Sequence, residues 1–190
     1  MNAHPLPPKL QGRLLLAGPS LRDGNFNKSV ILLADYSAEE GAFGLILNHP
    51  SGQTVSDLLP NSEFSELSDI AVHFGGPVSR EHLIFGAFWK READSDSDSS
   101  DLGFAIRISA EEAAAYRKQP GTLVRAFAGY SGWSQNQLED EIEQQAWAIT
   151  DASSKLIGQN HNLLLWKNLM STLSPYHRIL ADAPDQILAN

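Results

Sequence analysis

SVILLADYSAEEGAFGLILNHP, residues 29–50, holds two short apolar runs, Ser29 to Ala34 and Ala42 to Asn48. The link between them, Asp35 to Gly41, is polar and only of turn length. Both runs are rich in β-branched and aliphatic residues, which predicts strands, and the second stops at His49-Pro50 because proline cannot donate to a strand ladder. One run earlier, Gly12 to Ala17 (GRLLLA) predicts a third strand that ends at Gly18-Pro19. Three consecutive strands joined by short links pair as hairpins, since parallel neighbours would need crossovers of a dozen residues or more.

Working outward, Thr54 to Leu59 reads as a short helix before Pro60, and Ala71 to Phe74 and Leu83 to Trp89 as strands on either side of Gly75-Gly76-Pro77. Phe104, Ile106 and Ile108 alternate on one face at strand period. Ser109-Ala110-Glu111-Glu112 is a capping box that starts a helix ending near Pro120. Leu123 to Ala128 is another strand, followed by a helix over 135–146 and a strand from Trp147 to Thr150. Leu163 to Leu173 is the last predicted helix, and the tail after Pro175 is read as irregular. Many short strands with helices mostly late predict an α+β fold around a curved mixed sheet. At 190 residues the chain reads as one domain, 1–190, with an acidic low-complexity loop at 91–101 that has little to bury.

The composition narrows the chemistry. Cysteine is absent, which excludes a disulfide framework, thiolate catalysis and cysteine-ligated zinc. The formal net charge is −9, and the Lys and Arg residues are scattered rather than clustered. Phosphate contacts dominate nucleic-acid affinity, so direct nucleic-acid binding is not expected. The apolar runs are far shorter than the ~20 residues of a membrane helix, and the N-terminal stretch lacks the apolar core of a signal peptide. A cytoplasmic protein with no membrane contact is the expectation.

Three stretches are candidates for function. In Gly129-Tyr130-Ser131-Gly132-Trp133, Ser131 stands between a predicted strand and a predicted helix, which is the setting of a nucleophile elbow. The elbow pattern fails at Trp133, where a glycine belongs. Asp151 and His161 follow in triad order, but order alone is weak support. The same stretch is explained as a helix start: Ser134 as N-cap, Gln137 completing a capping box, and Trp133 and Leu138 forming a hydrophobic staple. A third reading is a ligand pocket built from backbone N–H groups near Ser131 to Gln135. Gly75-Gly76-Pro77 is a tight turn or, with Arg80 near, a small N–H nest for an anion. The run Asp94-x-Asp96-x-Asp98 opens like a calcium loop but has Ser99 where glycine is needed and Ala105 in place of the glutamate. None of the six histidines has metal-motif spacing, so no metal or other cofactor is expected, and His73 reads as a satisfied, half-buried strand histidine.

Taken together, Gly18-Pro19-Ser20-Leu21 with Phe26 and Ser29-Val30-Ile31, then Gly41 to Pro50, Gly75-Gly76-Pro77-Val78, and Gly129 to Trp133 through Gln137-Leu138-Glu139 and Glu141 to Trp147 resemble the YqgE/AlgH family of bacterial proteins. The landmarks run in family order over nearly the whole chain. The 91–101 loop departs from that pattern, and the Trp166 region and Asp185 to Asn190 match it loosely. The resemblance implies an α+β fold with a bifurcated mixed sheet curled into a pseudo-barrel and helices outside. It implies little chemistry: members are labelled transcriptional regulators, with no settled enzymatic activity and no defining DNA-binding motif.

The expectation is therefore an accessory or regulatory protein that binds an unidentified protein or small-molecule ligand. Its candidate cleft is drawn from Asn48, Gly75, Gly76, Pro77, Ser131, Gly132 and Trp133, with glycine backbone donors, directional bonds from Asn48 and Ser131, and Trp133 as a stacking wall. The alternative is a hydrolase or transferase using Ser131, with His73, His82 or His161 as its base.

Overall fold

The computed structural model describes residues 10–21, 24–92 and 101–183. Strands β1 (Arg13–Ala17), β2 (Val30–Ser37) and β3 (Gly41–Ile46) form the antiparallel meander that residues 12–48 predict. Both faces of this meander are covered, which is why its strands are continuously apolar rather than alternating. Leu14, Leu16, Val30 and Leu32 point to one core, and Leu15, Ala17, Ile31 and Leu33 to another. Each of these leucines, isoleucines and valines gains roughly 1.5–3 kcal/mol from full burial.

Beyond β3 the chain makes β4 (Pro50–Thr54) and the one-turn helix α1 (Val55–Leu58), with Thr54 as N-cap. The strands β5 (Ala71–Phe74), β6 (Val78–Lys90) and β7 (Leu102–Ile108) follow. Helix α2 (Ala110–Arg117) starts at the predicted box: Ser109 Oγ accepts from the Glu112 amide at 3.1 Å, and Glu112 Oε2 accepts from the Ser109 amide at 2.7 Å. Next come β8 (Leu123–Trp133), α3 (Gln137–Glu143) and β9 (Trp147–Asp151). The helices α4 (Leu163–Leu173) and α5 (Pro175–Asp182) close the described chain.

The sheet runs β4-β5-β8-β3-β2-β1-β9, with β6 beside β8 and β7 beside β6. It is mixed, because β5 and β8 run parallel while the other pairs are antiparallel. It divides along β8, whose residues Ala126 to Ala128 pair with β5 and whose residues Ser131 to Trp133 pair with β3. The sheet is not closed into a barrel, and the helices flank it. Helix α4 brings Leu165, Trp166 and Met170 onto the Leu14/Leu16/Phe127 core, α3 sets Leu138 against Trp133 and Trp147, and α2 covers Val72, Val124 and Ala126 with Ala113. No helix among the described residues is long and apolar enough to cross a membrane.

Four local expectations are corrected. Pro50 to Thr54 is a strand rather than a stop, tolerated because β4 lies at the sheet edge, where proline loses no ladder bond. Strand β8 continues five residues past Ala128 because β3 offers it a partner backbone. The N-cap of α3 is Asn136 in left-handed conformation rather than Ser134, and α3 ends at Glu143. The segment after Ser174 is helical, not irregular: Ser174 Oγ caps it, accepting from the His177 amide, and Pro175 takes the first turn, where its missing N–H costs nothing. The acidic-loop reading of 91–101 falls mostly on residues 93–100, outside the described residues.

Candidate functional site

Strand pairing decides where the predicted site residues lie. Ser131 sits inside β8 opposite Gly44, Gly132 opposite Phe43 and Trp133 opposite Ala42. The expected strand–turn–helix joint is therefore three residues later, and Ser131 is fully buried. Its hydroxyl donates to the Gly75 carbonyl at 3.2 Å, a bond between strand and junction rather than between nucleophile and base. The nucleophile reading finds no support in these surroundings.

Gly75 and Gly76 are buried against the same stretch of β8. A Cβ at Gly75 would overlap the Gly129 carbonyl, and one at Gly76, where φ is +153°, would overlap the Tyr130–Ser131 peptide. Here the β5–β6 link passes β8 at backbone contact distance, which only glycine permits. The Ile46 amide also donates to the Gly75 carbonyl at 2.9 Å, which ties the ends of β3 and β5 together where the sheet divides. Pro77, half-buried, leads into β6.

Trp133 stands elsewhere, in the core under α3. Its indole N–H donates to Glu141 Oε2 at 2.9 Å, and the Trp147 indole donates to the same oxygen at 2.7 Å. The two rings meet edge to face at 6.0 Å, and Gln137 Nε2 donates to the other Glu141 oxygen at 2.9 Å. Trp133 is thus a buried clamp on α3 and β9; Leu138 shares its cluster, but with Asn136 as N-cap the pair is not at the N′ and N4 positions of the expected staple. Gly132 alone of the three is exposed.

Asn48 latches the start of β2: its Oδ1 accepts from the Val30 amide at 2.7 Å and its Nδ2 donates to the Lys28 carbonyl at 2.8 Å. It also lines a cleft of about 590 Å³. One wall of that cleft is the corner His49-Pro50 between β3 and β4, with Asn27 beside it, and the other is the start of α4 from Asn162 to Leu164. His49 Nε2 donates to the Asn27 carbonyl at 3.1 Å, and burial holds this imidazole below its ordinary pKa. Asn162 caps α4, its Oδ1 accepting from the Leu164 amide at 3.0 Å. Leu163 and Leu164 are 53% and 63% exposed at the rim. The structure therefore brings Gly75, Gly76 and Ser131 together behind the sheet junction, puts Asn48 at the cleft, and sends Trp133 to a separate core.

Next to the cleft lies a polar cluster that the sequence reading missed. His73 in β5 is the register partner of Pro50, and His161 directly precedes Asn162, so each is the neighbour of a residue that lines the cleft. His73 is 3% exposed, not half-buried and satisfied as expected, and its Nδ1 has no hydrogen-bond partner. The His161 ring approaches it edge-on at 6.2 Å and is also buried. His161 Nε2 donates to the Leu156 carbonyl at 2.7 Å, which leaves Nδ1 as a lone pair with no donor. Arg125 in β8 lies two residues from Phe127, the register partner of His73, and its Nε is also buried without a partner.

The electrostatics follow from this crowding. Burial lowers the His73 pKa to about 4, helped by the charges of Arg125 and His161, and only in part opposed by the carbonyls of His161 and Ala71. Burial lowers His161 too, with Arg125 adding to it, and burial alone lowers Arg125. Period 2 in β8 puts Arg125 and Phe127 on one face, and that alternation is the one signal in the sequence that could have placed Arg125 in the interior. Among the described residues no group of three or more His, Asp or Glu side chains is placed to hold a metal ion.

The family model described as AlgH-like matches residues 14–177. A UPF0301 protein of Streptomyces avermitilis is 34% identical over 183 residues, covering 93% of each chain. A UPF0301 protein of Cytophaga hutchinsonii is 31% identical over 180 residues, covering 92% of this chain and 95% of that one. Two solved structures share the fold. The crystal structure of protein DIP2367 from Corynebacterium diphtheriae superposes with TM-score 0.67 at 22% identity, covering 92% of this chain and 93% of that one. The solution structure of the AlgH protein from Pseudomonas aeruginosa does so with TM-score 0.64 at 21% identity, covering 97% and 98%. At such identities the likeness concerns the fold alone.

Proposed function

The chain belongs to the AlgH-like family, and on that premise we propose that it is a binding protein rather than an enzyme: a cytoplasmic accessory or regulatory component that takes a small ligand in the cleft between the β3–β4 corner and the start of α4. The observation that carries this reading is the make-up of the cleft. Asn27, Asn48 and Asn162 line it beside two leucines that are more than half exposed, so polar residues and apolar contact surface meet in one concavity. Of the seven residues singled out in the sequence, Asn48 acts on the cleft wall itself. Gly75, Gly76, Pro77 and Ser131 support it from the sheet junction, while Gly132 and Trp133 lie apart from it at the end of β8.

Regulation exerted through a ligand or a protein partner, rather than by direct contact with DNA, fits the net charge of −9 with scattered cations. The test is ligand recovery. Full-length protein purified from its host is denatured and the released small molecules are identified by mass spectrometry, alongside a Leu164→Asp variant. A compound carried by the wild type and lost from the variant is the expected result. Equal recovery from both, or no carried compound, would overturn the cleft assignment.

A further inference from the structure

We propose that His73, Arg125 and His161 form an internal oxyanion site, entered from the cleft, that takes the phosphate or carboxylate group of a small ligand. This deepens the cleft reading, and rests on it, because Pro50, the register partner of His73, and Asn162, the neighbour of His161, both line the cleft. Among the described residues three side-chain nitrogens, in β5, in β8 and just before α4, are buried without hydrogen-bond partners: His73 Nδ1, Arg125 Nε and His161 Nδ1. The two histidines are more than nine-tenths buried. Among the described residues no carboxylate offsets the cost of desolvating Arg125. Arg125 is half-buried with its Nε cut off from solvent and no charge opposing that cost, and an incoming anion supplies the missing counter-charge.

The tautomers add a second requirement. Because His161 Nε2 is committed to the Leu156 carbonyl as a donor, Nδ1 is a lone pair that repels an oxyanion. Binding therefore adds a proton from solvent to Nδ1, giving an imidazolium that donates to the anion while keeping its bond to Leu156. The charged or titratable groups acting on His73 are Arg125 and His161, and on His161 it is Arg125. All of them are cationic when charged, so an anion among them favours protonation of both rings. A divalent cation would face the opposite balance, with Arg125 beside it and only two histidines to ligate it.

Isothermal titration of the full chain with inorganic phosphate and, separately, with acetate tests this, at pH 6.0 and 7.5 in two buffers of different ionisation enthalpy. The expected result is saturable binding of at least one anion, several-fold tighter at pH 6.0, with net proton uptake. Arg125→Met, with an unchanged near-ultraviolet circular dichroism spectrum, should weaken binding more than tenfold. His161→Gln, whose amide can keep the bond to Leu156, should remove most of the pH dependence while leaving residual affinity. Absence of binding by both anions, affinity unmoved by Arg125→Met, or saturable Zn²⁺ binding at the same histidines would each overturn the proposal. If neither anion binds while Leu164→Asp still loses a carried compound, the oxyanion site falls and the cleft stands. If Leu164→Asp has no effect on recovery yet phosphate binds and Arg125→Met abolishes it, the anion site stands and the cleft assignment falls.

Discussion

Glu141 accepts from the indoles of Trp133 and Trp147 through a single carboxylate oxygen, and those two donors have nowhere else to turn in the core under α3. Glu141→Ala should cost about 2–4 kcal/mol, because it strands two buried N–H groups that each lose a charge-assisted bond. Glu141→Gln, which keeps an acceptor, should lose less than half as much. Urea denaturation at pH 7 followed by tryptophan fluorescence measures both, and equal losses would show that the charge rather than the acceptor matters. Asn48 has a similar role at the other end of the sheet, with its amide closing on Val30 and Lys28. Asn48→Ala should destabilise by roughly 2–3 kcal/mol, and Asn48→Asp by a comparable amount, since the carboxylate accepts from Val30 but faces the Lys28 carbonyl with no donor. At this scale the sequence showed that Asn48, Ser131 and Trp133 were special without showing how. Their partners are 18, 56 and 8 residues away, and no local spacing encodes the acceptor a buried donor will meet.

The passage of the Gly75-Gly76 link across β8 is what lets one long strand serve both halves of the sheet, because any side chain there would hold the β5–β6 connection off the Gly129–Ser131 backbone. Gly76→Ala should therefore unfold the protein or cost more than about 3 kcal/mol, the range of an overpacked or strained core position. Gly158→Ala, where a Cβ has open space, should change stability by less than about 0.5 kcal/mol. Thermal melts of the two variants side by side decide whether the junction is as tight as the structure has it. Elements whose pairing is local were legible in advance: β1 to β3 are sequential hairpin partners, and Ser109 with Glu112 announces α2. Elements defined by distant partners were not. Strand β4 carries Pro, Ser, Gly, Gln and Thr and exists because β5 pairs with it, while the last residues of β8 look like a turn until β3 is placed beside them. Helix α5 was missed for a different reason, since Ser174-Pro175 marks a helix start as well as a stop, and only its packing on α4 tells which.

Across the whole molecule the net charge is −9, while His73 and Arg125, on the same face of the sheet as Phe127, and His161 packed on His73 bring three buried nitrogens together inside. The cluster itself was illegible beforehand because its three members come from residues 73, 125 and 161, each unremarkable in its own stretch. Its consequence for stability has a definite sign. His73 is held at about pKa 4 in the folded chain against 6.5 unfolded, and His161 is shifted in the same direction. The unfolded chain therefore binds more protons than the folded one between these values, so stability is complete above about pH 6.5 and falls as pH drops toward 4. A shift of that size in His73 corresponds to a loss of about 3 kcal/mol once the ring is fully protonated. The carboxylates with lowered pKa, such as Asp57 and Glu112, lose their contributions only around and below their own ordinary values, so the interval from pH 6.5 to 5 isolates the histidines. Urea midpoints measured at half-unit steps over that interval should decline in the wild type and clearly less in a His73→Phe, His161→Gln double variant, which keeps only the lowered pKa of His49. If the double variant declines as steeply, the acid sensitivity arises elsewhere in the molecule. Added phosphate at pH 6.0 should raise the wild-type midpoint and leave the double variant unmoved, because an anion bound to the folded state opposes the same protonation penalty that the pH series measures.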